Sequence, residues 1–104
     1  MGFRRDGKRK RIWDKWRRAH WDVLLQTGLP DDVFEDEASW YFFIEHGYNY
    51  TANFTVDQLT LAQANVLHDF LVDQRAMLSG VHVDGLILSL EAQFGLARAA
   101  LQQS

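Results

Sequence analysis

Apolar and polar positions along the chain fall into four stretches of helical period. The first runs from about Arg9 to Thr27. Ile12, Trp13, Trp16, Ala19, His20, Val23, Leu24 and Thr27 share one face, within about 140° on a 3.6-residue wheel. Arg11, Asp14, Lys15, Arg18 and Asp22 take the other face, and Gly28 followed by Pro30 is a helix stop signal. Trp21 and Leu25 break this pattern. They lie at i and i+4 on the basic face beside Arg17 and Arg18, either tucked under a neighbouring segment or offered to a partner.

The second stretch predicts a helix from about Asp32 to His46, closed by Gly47. Its lead-in, Asp31 to Glu37, holds five carboxylates, and acids at this density suit the positive end of a helix. Trp40-Tyr41-Phe42-Phe43-Ile44 has no polar face, so the alternative is a strand paired with Tyr50–Val56 in a small hairpin at residues 40–56. The third stretch opens on a capping box, Thr55 with Gln58, and predicts a helix to about Ser79, stopped by Gly80. Its core face is Val56, Leu59, Val66, Leu67, Phe70, Leu71, Met77 and Leu78. Asp57, His68, Asp69 and Arg75 point away from that face, and Leu61 and Val72 are apolar intruders on the polar side.

The fourth stretch, Asp84 to Gln103, is apolar on two opposite faces. Leu86, Ile87, Leu90, Phe94, Ala97 and Leu101 line one; Leu88, Ala92, Gly95, Leu96 and Ala99 line the other. Only Glu91 and Arg98 are charged within the helical run. Such a helix is buried on both sides, as the centre of a bundle or at a subunit contact. The pattern as a whole predicts an all-α fold, a compact bundle of about four helices, with α+β carrying the 40–56 hairpin as the alternative. Residues 9–104 form one helical domain, preceded by a disordered basic arm over 1–8 with a turn signal at Asp6-Gly7.

Composition changes this picture in two ways. The 104 residues contain no cysteine, which excludes a disulfide framework, a thiol nucleophile and thiolate metal ligation. The first eighteen residues lack the apolar core of a secretory signal, and no stretch approaches the roughly 18 apolar residues of a membrane span. The cytoplasm is the default location, and the sequons at Asn49 and Asn53 are read as chance matches.

Charge is segregated far more than the net −3 suggests. Residues 1–18 carry nine basic and two acidic residues, +7; residues 19–104 carry two basic and twelve acidic, −10. Arg4, Arg5, Lys8, Arg9, Lys10, Arg11, Lys15, Arg17 and Arg18 make a basic arm running into a helix. Such an arm neutralises phosphates without reading sequence, and Trp21 beside it can stack on a base.

Motifs with catalytic content are absent. His20, His46, His68 and His82 have no carboxylate or second histidine at i±3 or i±4, so no helical metal pair exists. No serine sits in a G-x-S-x-G turn, and no Gly-rich phosphate loop occurs. A helix-turn-helix is excluded by charge, because the would-be recognition helix begins with the Asp31–Glu37 acids. Neither an enzyme, a metal site nor a cofactor is expected.

Two functions remain. The first is a protein-interaction or assembly module, self-associating or binding another protein through Trp21, Leu25, Leu88, Ala92, Leu96 and Ala99. The alternative is non-specific nucleic-acid binding by the basic residues 4–18.

Overall fold

Trp13 and Trp16 sit one turn apart on the first helix and stack on each other with ring centroids 4.9 Å apart. From Trp16 the contact runs to Trp40 at 5.8 Å and Phe70 at 6.0 Å, and Trp40 and Phe70 meet at 6.1 Å. This aromatic triangle joins three helices and marks the middle of the core. Coordinates come from a computed structural model that describes residues 3–101, with side chains from Gly7 onward.

The fold is a mostly helical bundle with one minimal hairpin. Its five helices are α1 (Phe3–Ala19), α2 (Trp21–Gln26), α3 (Glu37–His46), α4 (Leu61–Gln74) and α5 (Val83–Phe94). Strands β1 (Tyr48–Asn49) and β2 (Phe54–Thr55) pair antiparallel, Tyr48 against Thr55 and Asn49 against Phe54. Helix α5 packs on α4 and α3, while α2 packs on α4.

Several boundaries depart from the sequence expectation. The first helix begins at Phe3 instead of Arg9, and it divides at His20, whose φ of −111° and ψ of 11° leave the helical region. Neither glycine nor proline causes the break. The His20 ring turns back instead, and its Nδ1 donates to the Trp16 carbonyl at 2.9 Å, sharing that acceptor with its own amide. Ile12, expected in the core, is 61% exposed, and Ala19 is exposed as well.

The acidic lead-in is not one helical turn. Asp31–Phe34 forms a 3-10 turn after Pro30, and α3 starts only at Glu37, where Asp36 Oδ1 accepts from the Ser39 amide at 2.8 Å. Gly47, in the left-handed conformation at φ 67°, ends it. Residues 40–44 are therefore helix, and the hairpin lies just after them. The absence of a polar face there now has a cause: Trp40, Phe43 and Ile44 enter the core, while Phe42 lies against His46 and Tyr50.

The Thr55–Gln58 pair caps only a 3-10 turn, Val56–Gln58; Gln58 Oε1 accepts from the Thr55 amide at 2.9 Å. A second box opens α4, with the Gln63 amide donating to Thr60 Oγ1 at 3.1 Å and the Thr60 amide to Gln63 Oε1 at 3.0 Å. Helix α4 ends at Gln74, passing into a 3-10 turn at Arg75–Met77 that leaves Met77 70% exposed. Gly28, at φ 74°, takes a left-handed conformation that L side chains rarely adopt, beside the end of the Gln63 side chain where α2 meets α4.

The last helix differs most. It spans twelve residues, Val83–Phe94, and Gly95 at φ 66° turns the chain out of it. Residues 96–101 are not helical, and Leu96, Ala99 and Leu101 fold back as half-buried cover on the core. The two-faced helix expected to Gln103 does not form over 96–101, and 102–104 lie outside the described residues.

Trp40, one corner of the triangle, is 1% exposed. Trp40→Ala is expected to cost about 3–5 kcal/mol, a large part of the stability of a domain this size. Urea unfolding monitored by circular dichroism measures it; a loss under about 1 kcal/mol would show that the triangle is not the centre of the core.

Candidate functional site

Two features stand out once the fold is built. The first is the outward face of α1. Gly7 through Ile12 are all exposed, and Trp13 is the first buried side chain of the helix. Lys8, Arg11, Lys15 and Arg18 are exposed and recur at i, i+3, i+7 and i+10, which places them within about 80° of one another along roughly 15 Å of helix. Among the described residues no carboxylate lies within ion-pair distance of these four.

The other basic residues of the helix are differently employed. Lys10 pairs with Asp14 at 3.2 Å on the surface. Arg17 lies with its guanidinium carbon 4.8 Å from the centre of the Trp21 ring, a cation–π contact. Arg9 faces the cleft between α1 and α3. Arg4 and Arg5 belong to α1 by their backbone, and their side chains lie outside the described residues.

Trp21 is half-buried, its ring edge-on to Phe34 at 6.3 Å with Arg17 over its face. It links α2 to the Asp31–Phe34 turn within the chain. Leu25 is 57% exposed and Leu88 45% exposed, while Ala92 is exposed. Leu96 and Ala99 are half-buried beyond the Gly95 turn. Leu88, Ala92, Leu96 and Ala99 therefore do not share one helix face, because the helix ends before the last two.

The second feature was not foreseen. His68, expected to point away from the core, is 5% exposed and meets Glu91, which is 7% exposed. His68 Nε2 donates to Glu91 Oε2 at 2.9 Å, and His68 Nδ1 lies 3.4 Å from Asp69 Oδ1. The Ala99 amide also donates to Glu91 Oε2, at 2.6 Å, and the Leu96 amide donates to the Glu91 carbonyl at 3.1 Å. One glutamate thus holds α4, α5 and the returning C-terminal segment together. Its partner is twenty-three residues away on another helix, beyond the reach of i±4 spacing rules. The sequence signal was Glu91 itself, an acid set among apolar residues past the first turn of α5.

The hydrogen bond from His68, then that from Ala99, holds the Glu91 carboxyl below its ordinary value of 4.5, against the opposing effect of burial. The pair is too enclosed for a substrate to reach while the C-terminal segment is in place, so its chemistry is that of a latch. Among the described residues no three histidine or acidic side chains come together as a metal-binding group, and no helix is long and apolar enough to cross a membrane.

No family model, curated protein or solved structure matches the chain.

Because the folded-state carboxyl titrates below its unfolded value, the stability that Glu91 contributes is present above pH 4.5 and is lost as pH falls through the folded value. Thermal unfolding midpoints across an acid series are expected to show this. Glu91→Gln should lower the midpoint at neutral pH and flatten the decline below pH 4.5; parallel curves for the two proteins would rule the latch out.

Proposed function

We propose that this is a non-catalytic nucleic-acid-binding module, acting in the cytoplasm, that lays the exposed face of α1 along a phosphate backbone. The observation that carries this reading is the row of Lys8, Arg11, Lys15 and Arg18, four exposed cations on one helix face with no intramolecular counter-charge among the described residues. A row of point charges at one helical turn per step suits a regular array of phosphates, and it carries no means of reading bases. Trp21, the one aromatic near the row that sequence offered for base stacking, is engaged by Arg17 and Phe34. Binding is accordingly expected to be indifferent to sequence.

The rest of the chain carries the opposite charge, −10 over residues 19–104. That body repels a polyanion and confines contact to α1, which supports α1 lying lengthwise on the backbone with the acidic bundle held away. An anionic bilayer is a poorer fit. A helix lying in a membrane interface inserts an apolar face, and the apolar face of α1 is spent on Trp40 and Phe70.

Four phosphate contacts predict a slope of about −4 in log affinity against log salt on duplex DNA, with dissociation constants on the order of 10⁻⁵ M at physiological salt. Fluorescence anisotropy of a labelled duplex over a salt series measures both. Arg11→Gln with Lys15→Gln should reduce the slope by about 2 and the affinity at least about tenfold. No binding at low salt, or an unchanged slope in the double variant, would remove this function.

A further inference from the structure

A cleft separates α1 from the start of α3, on a side of α1 that adjoins the Lys8–Arg18 row at Ile12. Trp13, Trp16, Trp40 and Tyr41 form its floor around a cavity of ≈ 180 Å³, with Leu78 at one end. Ile12 and Met77, 61% and 70% exposed, also line it, and they are the two most exposed large aliphatic side chains of the described residues. Exposing both beside one aromatic hollow leaves apolar surface that none of the other described residues covers.

The rims of an adjoining hollow, which shares Trp13 and Glu37 with this one, are charged with opposite sign. Arg9 and Lys10 stand on the α1 side, with Glu35, Asp36 and Glu37 on the α3 side. Among the described residues no ion pair joins Arg9 to any of these acids, nor Glu35 or Glu37 to any cation. The cavity is below the roughly 300–1,000 Å³ usual for small-molecule sites, yet it holds a branched aliphatic side chain comfortably.

We propose that this cleft is where two copies of the chain associate about a two-fold axis. Ile12 of each copy enters the aromatic cavity of the other, and Arg9 of each faces Glu35 of the other. A second copy is the occupant that the surface selects, because knob, hollow, base and acid lie side by side in one patch. A two-fold rotation brings each of them onto its complement. The mean direction of the Lys8–Arg18 row lies roughly 110° around α1 from the Arg9–Ile12–Trp16 side; Lys8 and Lys15, at i−4 and i+3 of Ile12, border the contact, while Arg11 and Arg18 stay clear of it. The patch is small beside a standard interface, which sets the dissociation constant on the order of 10 µM.

Sedimentation velocity of the full chain, between about 1 and about 500 µM, tests the proposal. A shift from the 12.1 kDa monomer to twice that mass is expected. Arg9→Glu and Glu35→Arg alone should each weaken association about tenfold, and the two together should restore it to within about threefold of the parent, since reversal in both rims re-forms the attraction. Ile12→Glu should abolish it. All three positions are exposed, and unchanged helicity confirms that the variants fold. A monomer at every concentration, a higher oligomer, a double variant no stronger than the single ones, or an Ile12→Glu protein that still dimerises would each overturn the proposal.

Discussion

The packing of Trp16 against Trp40 and Phe70 is the contact on which the rest of the structure depends. Ring pairs at these separations add about 0.5–1.5 kcal/mol each beyond the area they bury. Here they do more than fill space, because they tie α1 to α3 and α4 at once. Trp13 strengthens the join through its own stack and through Nε1, which donates to the Phe34 carbonyl at 3.2 Å. Without this anchor, α1 would be a short, highly charged peptide segment of the kind that is only marginally helical in water. Held at one end by tryptophan, it becomes a rigid support whose charges keep a fixed spacing.

The same helix serves two faces with different chemistry. One side carries unpaired cations at single-turn intervals. The other carries Ile12 and Arg9 toward an aromatic hollow rimmed by the acids that precede α3. Charge segregation along the chain is thereby turned into segregation around a helix. The acidic segment Asp31–Glu37 lies across the cleft from Arg9 and away from the outward row, so it does not neutralise that row. A polyanion and a second copy of the chain would therefore meet adjoining sides of one helix.

Beyond α5, hydrogen bonds to Glu91 accompany the return of the chain. Gly95 releases α5 after one further amide closes on the Glu91 carbonyl, and the segment beyond turns back until Ala99 reaches the Glu91 side chain. Both donors to the buried Glu91 carboxylate reach Oε2, one from α4 and one from the C-terminal segment, and Oε1 is left without a partner among the described residues. The apolar residues Leu96, Ala99 and Leu101 then cover a core that a straight helix would have left behind.

The chain's pattern by itself determined the class of fold, the faces of the helices and the two halves of its charge. Periodic apolar positions placed Leu24, Leu67, Leu71, Ile87 and Leu90 inside, and Gly47 ended the helix that carries the Trp40–Ile44 run, because these are local consequences of residue type and spacing. Tertiary structure alone decided that Ile12 stays outside, that His68 goes inside to meet Glu91, and that the segment after Gly95 folds back onto the core. Each depends on a partner far away in sequence: an aromatic junction that turns one side of α1 inward, a glutamate on another helix, a core edge in need of cover. Periodicity reports which residues can share a face. Which face finds something to bury against is settled only when the helices meet.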